Sequence, residues 1–258
     1  MTALGTLFGV GVGPGATDLL TLRAVRVLES VPVLALPRGS DFGASVAWQI
    51  IEPVVGRRLG QERLTLTFPM SKDPSQVRPH VEAAVDTLGA RLADGSSVAF
   101  VTEGDPSVFS TFGYVRHEAL RRWPSLRIEI VPGVTSITAV AAAGGVPLAD
   151  GHERIAILPA TYGVGDLADV LRRFDTVVLM KIGAEMPAIL AALEQTGLTE
   201  SAFFVSKATT EEQRLETDVR RLRDEHGGCF SMLIVKRRDR SGVLVGSTAP
   251  GAASSERS

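Results

Sequence analysis

Short apolar stretches alternate with longer amphipathic ones along almost the whole chain. Nine of the short stretches are rich in β-branched residues and are predicted to be strands: TLFGVGV, VPVLAL, LTLTF, SVAFV, LRIEIV, ERIAILP, TVVLMKI, SAFFVSK and FSMLIVK. Most of them are apolar throughout, which is typical of strands covered by helices on both faces of a sheet. We therefore expect an α/β protein.

Five of the intervening segments are predicted to be helical: DLLTLRAVRVLES, VEAAVDTLGARLADG, VRHEALRRW, EMPAILAALEQTG and DVRRLRDEH. The alternation pauses at AAAGGVPLADGHER, directly after the alanine-rich helix ITAVAAA. This pause predicts a domain boundary near residue 148, with five strands before it and four after it. We expect an N-terminal domain at 1–148, a C-terminal domain at 149–246 and a disordered tail of small and polar residues at 247–258.

Composition narrows the class of protein. The chain has 258 residues, 45% of them apolar, and a formal net charge of −2, which argues against a nucleic-acid-binding protein. With one cysteine and four histidines, neither a disulfide framework nor a cysteine-rich zinc site is expected, and Cys229 is predicted to be buried. No signal peptide or membrane-spanning stretch is recognisable, so a cytoplasmic location is expected.

The first predicted strand leads into a glycine-rich loop, GVGPG. Gly11, Gly13 and Ala16 fit the G-x-G-x-x-A pattern of a dinucleotide site. Pro14 argues against such a site because it lacks a backbone N–H, and Arg38 follows the second strand where an NAD site has an acidic residue. Arg38 still leaves an NADP-dependent oxidoreductase open. A loop with few donors suits a ligand less anionic than pyrophosphate, and a tight turn without any ligand is the simpler alternative.

Two more loops follow predicted strands. Strand SVAFV leads to Glu103 and Asp105, and the chain is expected to become helical again near Phe109. Asp105 either accepts hydrogen bonds from a ligand or caps that helix. Strand LRIEIV leads to Thr135 and Ser136, with the same two alternatives. Because the carboxyl ends of parallel strands share one edge of a sheet, the three loops are expected to border one cleft.

Four segments in sequence order resemble the tetrapyrrole (corrin-pathway) S-adenosylmethionine-dependent methyltransferases: GVGPGATDLLTLRA, FVTEGDPSVFSTFGYV, VPGVTSITAVAAAGGVPLA and ERIAILPA. The resemblance runs from about residue 6 to residue 236. Within the family, GDPSVFSTF, FPMSKD and ERIAILPA are most similar to members that methylate C20 of precorrin-2. The resemblance implies two αβα domains, the first with a mainly parallel five-stranded sheet and the second with a mixed sheet, a cofactor cleft between them, and a homodimer.

The same resemblance implies which residues bind the cofactor, S-adenosylmethionine. They are Pro14, Gly104, Asp105, Val108, Thr135, Ser136, Met180, Ala208 and Ser231. Met180 and Ala208 are similar to the positions that enclose the adenine. The chain also departs from the family, which usually reads GPGDPELLT: Ala16 and Thr17 replace the Asp-Pro pair, and Asp18 is the candidate replacement for the missing carboxylate.

Methyl transfer from a sulfonium is an in-line displacement that depends on alignment and a partly dry cleft, and it needs no metal. Tyr114 and Glu103 are the candidate residues for orienting the macrocycle or accepting the proton that C20 loses. Arg38 and Arg116 are the candidates for binding the tetrapyrrole carboxylates. A solvated or packed side chain is the alternative for each of the four.

Other functions stay open from the sequence. The substrate is either metal-free precorrin-2 or cobalt-factor II, because a metal inside the macrocycle need not touch a side chain. Methylation at another ring position, an NADP-dependent oxidoreductase and a tetrapyrrole carrier without catalytic activity are further alternatives.

Overall fold

The structure is a computed structural model that describes residues 3–39, 45–56, 60–223, 225, 228 and 230–237. The predictions for Cys229 and for the tail at 247–258 fall outside the described residues. The chain divides into two compact units. The first ends at Ala139 but also includes Ala208–Glu211, and the second consists of Val140–Lys207 and the chain from Glu212 onward.

The first unit contains a parallel sheet. Its described strands are β1 (Leu7–Gly11), β2 (Val33–Arg38), β3 (Glu62–Thr67), β4 (Val98–Thr102) and β5 (Ile128–Val131). They are arranged in the order β3-β2-β4-β1-β5 with parallel pairing throughout. The helices that follow these strands are α1 (Leu22–Ser30), α2 (Val46–Val55), α3 (Pro74–Ala93), α4 (Phe112–Arg122) and α5 (Ser136–Ala143).

Helices cover both faces of this sheet, as its continuously apolar strands predict. On one face, Ala24 and Leu28 of α1 and residues of α2 pack on Val10 and Leu34. On the other face, α3 and α4 pack on Leu7 and Phe100, among other residues. Side chains alternate between the two layers along a strand, so the central strands β1, β2 and β4 bury both of their faces, whereas β3 and β5 at the two edges are partly exposed.

The second unit contains a mixed sheet. Its described strands are β6 (Ile155–Pro159), β7 (Thr176–Met180), β8 (Ala202–Ser206), β9 (Arg214–Glu216) and β10 (Ser231–Lys236), in the order β6-β7-β10-β8-β9. Among the described pairs of this second sheet, β6 and β7 are parallel and the others are antiparallel. Helices α6 (Leu167–Arg173) and α7 (Met186–Thr196) cover one face of the sheet around an apolar core. The predicted fold class, with one parallel and one mixed sheet, is confirmed.

Several elements differ from the sequence-based prediction. The second sheet has a fifth strand, β9, so the expected count of four is wrong for the described residues. This strand has only three residues and lies at the exposed edge, so it carries no apolar pattern. Helix α2, which contains Pro53, and helix α6 were not predicted. The segment DVRRLRDEH forms a short 3₁₀ turn at Val219–Leu222 in its described part. Among the described helices, none combines the length and the hydrophobicity that a membrane-spanning helix needs.

Candidate active site

The chain connections that leave β1 and β4 run in opposite directions across the parallel sheet, from β1 toward β2 and from β4 toward β5. These two strands are neighbours, but β1 continues into α1 on one face and β4 continues into α4 on the other. In an open α/β sheet, ligands bind at the carboxyl ends of two such strands, because the following segments diverge there. The loops after β1, β4 and β5 therefore lie at the expected place for a site in the first unit.

Backbone atoms of glycines join these three loops. Gly13 and Gly104 exchange two hydrogen bonds, from Gly13 N to Gly104 O at 3.3 Å and from Gly104 N to Gly13 O at 2.7 Å. A Cβ atom on Gly133 would lie 2.2 Å from Gly104 O, and one on Gly11 would lie 2.7 Å from Gly133 N. Real Cβ atoms do not approach other atoms so closely, so the loops can meet only because these positions lack side chains.

Asp105 ties the second loop to the third. Its Oδ2 accepts a hydrogen bond from Gly133 N at 2.9 Å, and its Oδ1 accepts one from Ser107 N at 2.8 Å as well as one from the Ser107 hydroxyl. Burial by itself would raise the pKa of Asp105, but the hydrogen bonds from Ser107 and Gly133 outweigh it and lower the pKa below its ordinary value. The carboxylate is thus a buried, ionised group at the loop junction. It does not cap a helix, because α4 begins only at Phe112.

Glu103 directly follows β4, and its side chain contacts the first turn of α2. Its Oε1 accepts a hydrogen bond from Ala47 N at 3.1 Å, in the first turn of that helix. Burial raises the pKa of Glu103 above its ordinary value, although its hydrogen bonds with backbone N–H groups oppose the shift. A carboxyl whose pKa is raised by burial gives up its proton less readily than an exposed carboxyl does. The structure therefore gives Glu103 a structural contact and leaves its predicted catalytic role as a prediction.

The third loop leads into α5 through Thr135 and Ser136. Thr135 Oγ1 accepts a hydrogen bond from Thr138 N at 3.3 Å, so this hydroxyl caps the helix. A Cβ on Gly104 would lie 3.9 Å from Ser136 N, which brings Ser136 beside the second loop. Val108 is half-buried in the second loop, where its N–H donates to Asp105 O at 3.1 Å.

Helix α4 begins three residues later than expected. Phe109 has a φ of +49°, which is incompatible with a right-handed helix. The Ser110 hydroxyl then accepts a hydrogen bond from Phe112 N at 3.2 Å and fixes the start of the helix. The expectation that the chain becomes helical near Phe109 is therefore wrong, for a reason that the residue type does not reveal.

Four non-glycine residues of the described chain have a left-handed backbone: Phe109, Lys181, Lys207 and Thr209. Each is adjacent to a residue that the family resemblance assigns to the cofactor, since Phe109 follows Val108, Lys181 follows Met180, and Lys207 and Thr209 flank Ala208. Such conformations are strained and concentrate at functional sites. These left-handed residues thus lie next to predicted cofactor residues in the sequence, and the cofactor assignment stays a prediction.

The remaining predicted cofactor residues are Pro14, Met180, Ala208 and Ser231. Pro14 lies half-buried in the loop after β1. Met180 ends β7 and is 8% exposed, and Ser231 begins β10 with its hydroxyl donating to Gly228 O. Ala208 is buried and belongs to the short segment that is part of the first unit. Pro14 and Ala208 therefore belong to the first unit, together with the three loops, whereas Met180 and Ser231 belong to the second unit.

The predicted substrate and catalytic residues are more scattered. Arg38 ends β2, at the same edge of the sheet as the three loops, and its Nε donates to Thr67 Oγ1 at 3.3 Å. Tyr114 and Arg116 are exposed in α4, which begins two residues after the second loop ends at Ser110. Tyr114 is 61% exposed.

The geometry of the first loop argues against a dinucleotide site. The N–H groups of Gly13 and Ala16 donate to Gly104 O and to Thr209 Oγ1, and Pro14 has no N–H. Moreover, α1 begins at Leu22, well beyond the loop, whereas a pyrophosphate site has the helix N-terminus directly after the glycines. Two donors of the loop are therefore engaged within the protein and a third position has none, where the G-x-G-x-x-A pattern would present donors to a pyrophosphate.

Comparison with known proteins decides the family. Residues 6–222 match the sequence profile of the Tetrapyrrole (Corrin/Porphyrin) Methylases. The chain belongs to this family. Its predicted membership is confirmed, and with it the expectation that the protein is a methyltransferase.

Two relatives are similar to the chain over nearly the whole length of both proteins. The chain is 33% identical over 236 residues to a cobalt-precorrin-2 C(20)-methyltransferase of Salmonella typhimurium, which covers 91% of this chain and 97% of that protein. It is 28% identical to a precorrin-2 C(20)-methyltransferase of Sinorhizobium sp, covering 90% and 95%. Among solved structures, the uroporphyrin-III C-methyltransferase of Thermus thermophilus, complexed with S-adenosylhomocysteine, is 25% identical with a TM-score of 0.64, covering 90% and 97%.

Sequence reasoning overlooked two groups at this site. Gly133 and Ser107 hold Asp105, and Thr209 contacts the first loop from a segment far along the chain. Gly133 and Ser107 belong to the motifs VPGVTS and GDPSVF, which carry the family resemblance, so the sequence offered a signal for these two residues. The contact of Thr209 had no signal, because it joins residues 193 positions apart.

Proposed function

We propose that the protein transfers a methyl group from S-adenosylmethionine to C20 of precorrin-2, giving precorrin-3A in cobalamin biosynthesis. The observation that carries the proposal is its similarity, over nearly the whole length of both chains, to relatives named for C20 methylation. One of these names specifies a cobalt-loaded substrate and the other does not. Cobalt-factor II is therefore the alternative substrate for the same reaction.

The three-loop junction has the chemistry that a cationic methyl donor needs. When bound, S-adenosylmethionine supplies a methyl group on a positively charged sulfur. Asp105 is ionised and buried beside the loops, and the N–H groups of Gly13 and Ala16 are already engaged. An ionised carboxylate at these loops favours a nearby sulfonium and disfavours a nearby phosphate.

Residue roles follow from this proposal. Gly104, Asp105 and Val108 hold the methionine and ribose parts, Pro14 shapes the floor of the site, and Thr135 and Ser136 contact the cofactor from the third loop. Met180 and Ala208 enclose the adenine, and Ser231 is a further cofactor contact. Glu103, a carboxyl in the loop after β4, accepts the proton that C20 loses. Tyr114 orients the macrocycle, and Arg38 and Arg116 bind its carboxylates.

Other parts of the proposal concern the setting of the reaction. We propose a homodimer that acts in the cytoplasm, binds no nucleic acid and uses no metal of its own. The domain boundary near residue 148 and the tail at 247–258 stay predictions from sequence.

The test is a product analysis. The protein is incubated with precorrin-2 or with cobalt-factor II, together with a methyl donor labelled with carbon-13 at the methyl group. NMR then locates the new methyl, and we expect it at C20. A methyl at another ring carbon would contradict the proposed position, and no transfer to either substrate would contradict the activity. Comparing the two substrates identifies the one that is used.

A calorimetric titration separates the proposal from the other classes of function. We expect binding of S-adenosylhomocysteine and none of NADPH. Binding of NADPH alone would favour the oxidoreductase. Tetrapyrrole binding without binding of S-adenosylhomocysteine would favour a carrier.

A further inference from the structure

A short segment from late in the chain packs on the first glycine-rich loop. Ala208–Glu211 belong to the first unit, although the residues on either side belong to the second. A Cβ on Gly15 would lie 2.9 Å from Ala208 O, 3.0 Å from Thr209 Oγ1 and 2.6 Å from Thr210 Cγ2. Gly15 therefore lies directly against this segment, and only glycine fits there.

One hydrogen bond joins the segment to the loop through a side chain. Ala16 N donates to Thr209 Oγ1 at 3.0 Å. Ala16 has no intrahelical acceptor, because it precedes the 3₁₀ turn at Thr17–Leu19 as its N-cap. The Thr209 hydroxyl thus satisfies a backbone donor that the local structure leaves without a partner.

The backbone of Thr209 is strained where it provides this hydroxyl. Its φ is +67°, a conformation that β-branched residues adopt rarely, and Lys207 is also left-handed with a φ of +48°. Asparagine or glycine would adopt this conformation more easily. A threonine at a left-handed position indicates that its side chain has a role there that outweighs the strain.

The loop is held at both of its ends. Gly13 pairs with Gly104 at one end. At the other, Ala16 bonds to Thr209, and the Thr17 hydroxyl donates to Ile50 O at 2.9 Å. Pro14 and Gly15 lie between these anchors, so their position depends on both.

We propose that Thr209 is a positioning residue for the methyl donor. Its hydroxyl holds Ala16, and through Ala16 it fixes the backbone of Pro14 and Gly15 beside the bound S-adenosylmethionine. The inference rests on the proposed function, because it assigns Thr209 to the site of that reaction. Methyl transfer is sensitive to small displacements of the bound donor, so loss of the anchor is expected to weaken binding and lower the rate.

Three variants separate the hydroxyl from the strain. Thr209→Val keeps the shape but removes the hydroxyl, Thr209→Ser keeps the hydroxyl, and Thr209→Gly removes the hydroxyl and relieves the left-handed backbone. For each, the Kd of S-adenosylhomocysteine is measured by calorimetry, KM for S-adenosylmethionine and kcat by initial rates, and the unfolding midpoint by thermal denaturation. Thr209→Val is expected to raise the Kd about ten-fold, the size of one lost hydrogen bond.

The glycine variant gives the decisive comparison. Thr209→Gly is expected to unfold at the wild-type temperature or above it while binding S-adenosylhomocysteine as weakly as Thr209→Val does. Thr209→Ser is expected to bind within about two-fold of the wild type, since it keeps the acceptor for Ala16. A merely structural threonine would instead show weaker binding only in proportion to lost stability.

Two results overturn the inference, and they are distinguishable from failure of the proposed function. The inference is wrong if the wild type binds S-adenosylhomocysteine and Thr209→Gly binds it equally well. It is also wrong if Thr209→Ser binds as weakly as Thr209→Val. If the wild type itself neither binds S-adenosylhomocysteine nor methylates a tetrapyrrole, the proposed function fails first.

Discussion

Replacing Gly133 by alanine tests the junction of the three loops. The added Cβ would lie 2.2 Å from Gly104 O and less than 3 Å from two backbone atoms of Gly11, whereas ordinary contacts start at 3.4 Å. The atoms it meets belong to the backbone, so no side-chain rotation can relieve the overlap. The loops must separate by about 1 Å, a forced displacement of the kind that overpacking imposes on a protein interior.

The magnitude follows from what this separation disrupts. Overpacking of a close-packed site costs about 1–3 kcal/mol. Separation also strains the hydrogen bond from Gly133 N to the Asp105 carboxylate, and bonds to charged groups contribute about 1.5–3 kcal/mol. We expect Gly133→Ala to lose about 3 kcal/mol, divided between the free energy of unfolding and the free energy of binding. If all of it falls on binding, the Kd of S-adenosylhomocysteine rises about 100-fold.

Gly113→Ala is the matched control. Gly113 lies exposed in α4, and a Cβ there meets nothing within 4 Å. Alanine favours a helix more than glycine does, so this variant is expected to be about 0.5–1 kcal/mol more stable and to bind normally. Denaturant unfolding and calorimetric titration of S-adenosylhomocysteine measure both effects. Wild-type stability together with wild-type affinity in Gly133→Ala would refute the reasoning.

Three further predictions concern single groups. Asp105→Ala is expected to raise the Kd of S-adenosylhomocysteine strongly and lower stability, since three hydrogen bonds are lost; unchanged calorimetric binding would contradict its assignment. Hydrogen bonds from Arg121 and Arg122 lower the pKa of Glu118 to about 2, so its contribution to stability is present above about pH 4.5 and is lost as the pH falls toward 2. Glu118→Gln should lower the free energy of unfolding at neutral pH by roughly 1 kcal/mol, since solvent screens these ion pairs. An identical pH dependence of unfolding in the wild type and in Glu118→Gln would contradict this. Gly89→Ala would place its Cβ 2.3 Å from the Trp123 ring and should lower the unfolding free energy by about 1 kcal/mol, and a double-mutant cycle with Trp123→Leu should show coupling.

Local patterns were sufficient for most of the fold. The continuous apolar strands predicted helices on both faces of the first sheet, because a strand buried on both sides has no polar face. The same reasoning failed for β9, whose residues Arg214–Glu216 are partly exposed, and for α2, whose sequence contains Pro53. In both cases tertiary packing outweighs the local signal.

The candidate site was only partly visible in the sequence. The three loops were identifiable because each follows a predicted strand and begins with glycine, proline or an acidic residue. Their partners were not. The bond between Asp105 and Gly133 and the contact of Thr209 with Ala16 depend on how distant segments approach each other, which no local pattern encodes.

The sequence by itself determined the α/β class, the family and the three segments that carry the chemistry, because periodicity, composition and motifs are properties of neighbouring residues. The tertiary structure decided the use of these residues. The glycines that resemble a phosphate-binding loop are points where two backbone segments touch. The N–H groups of this loop at Gly13 and Ala16 donate to Gly104 and Thr209. The physical reason is that a hydrogen bond or a steric limit exists only between groups brought together in space, and the folded chain brings together groups as far as 193 positions apart in the sequence.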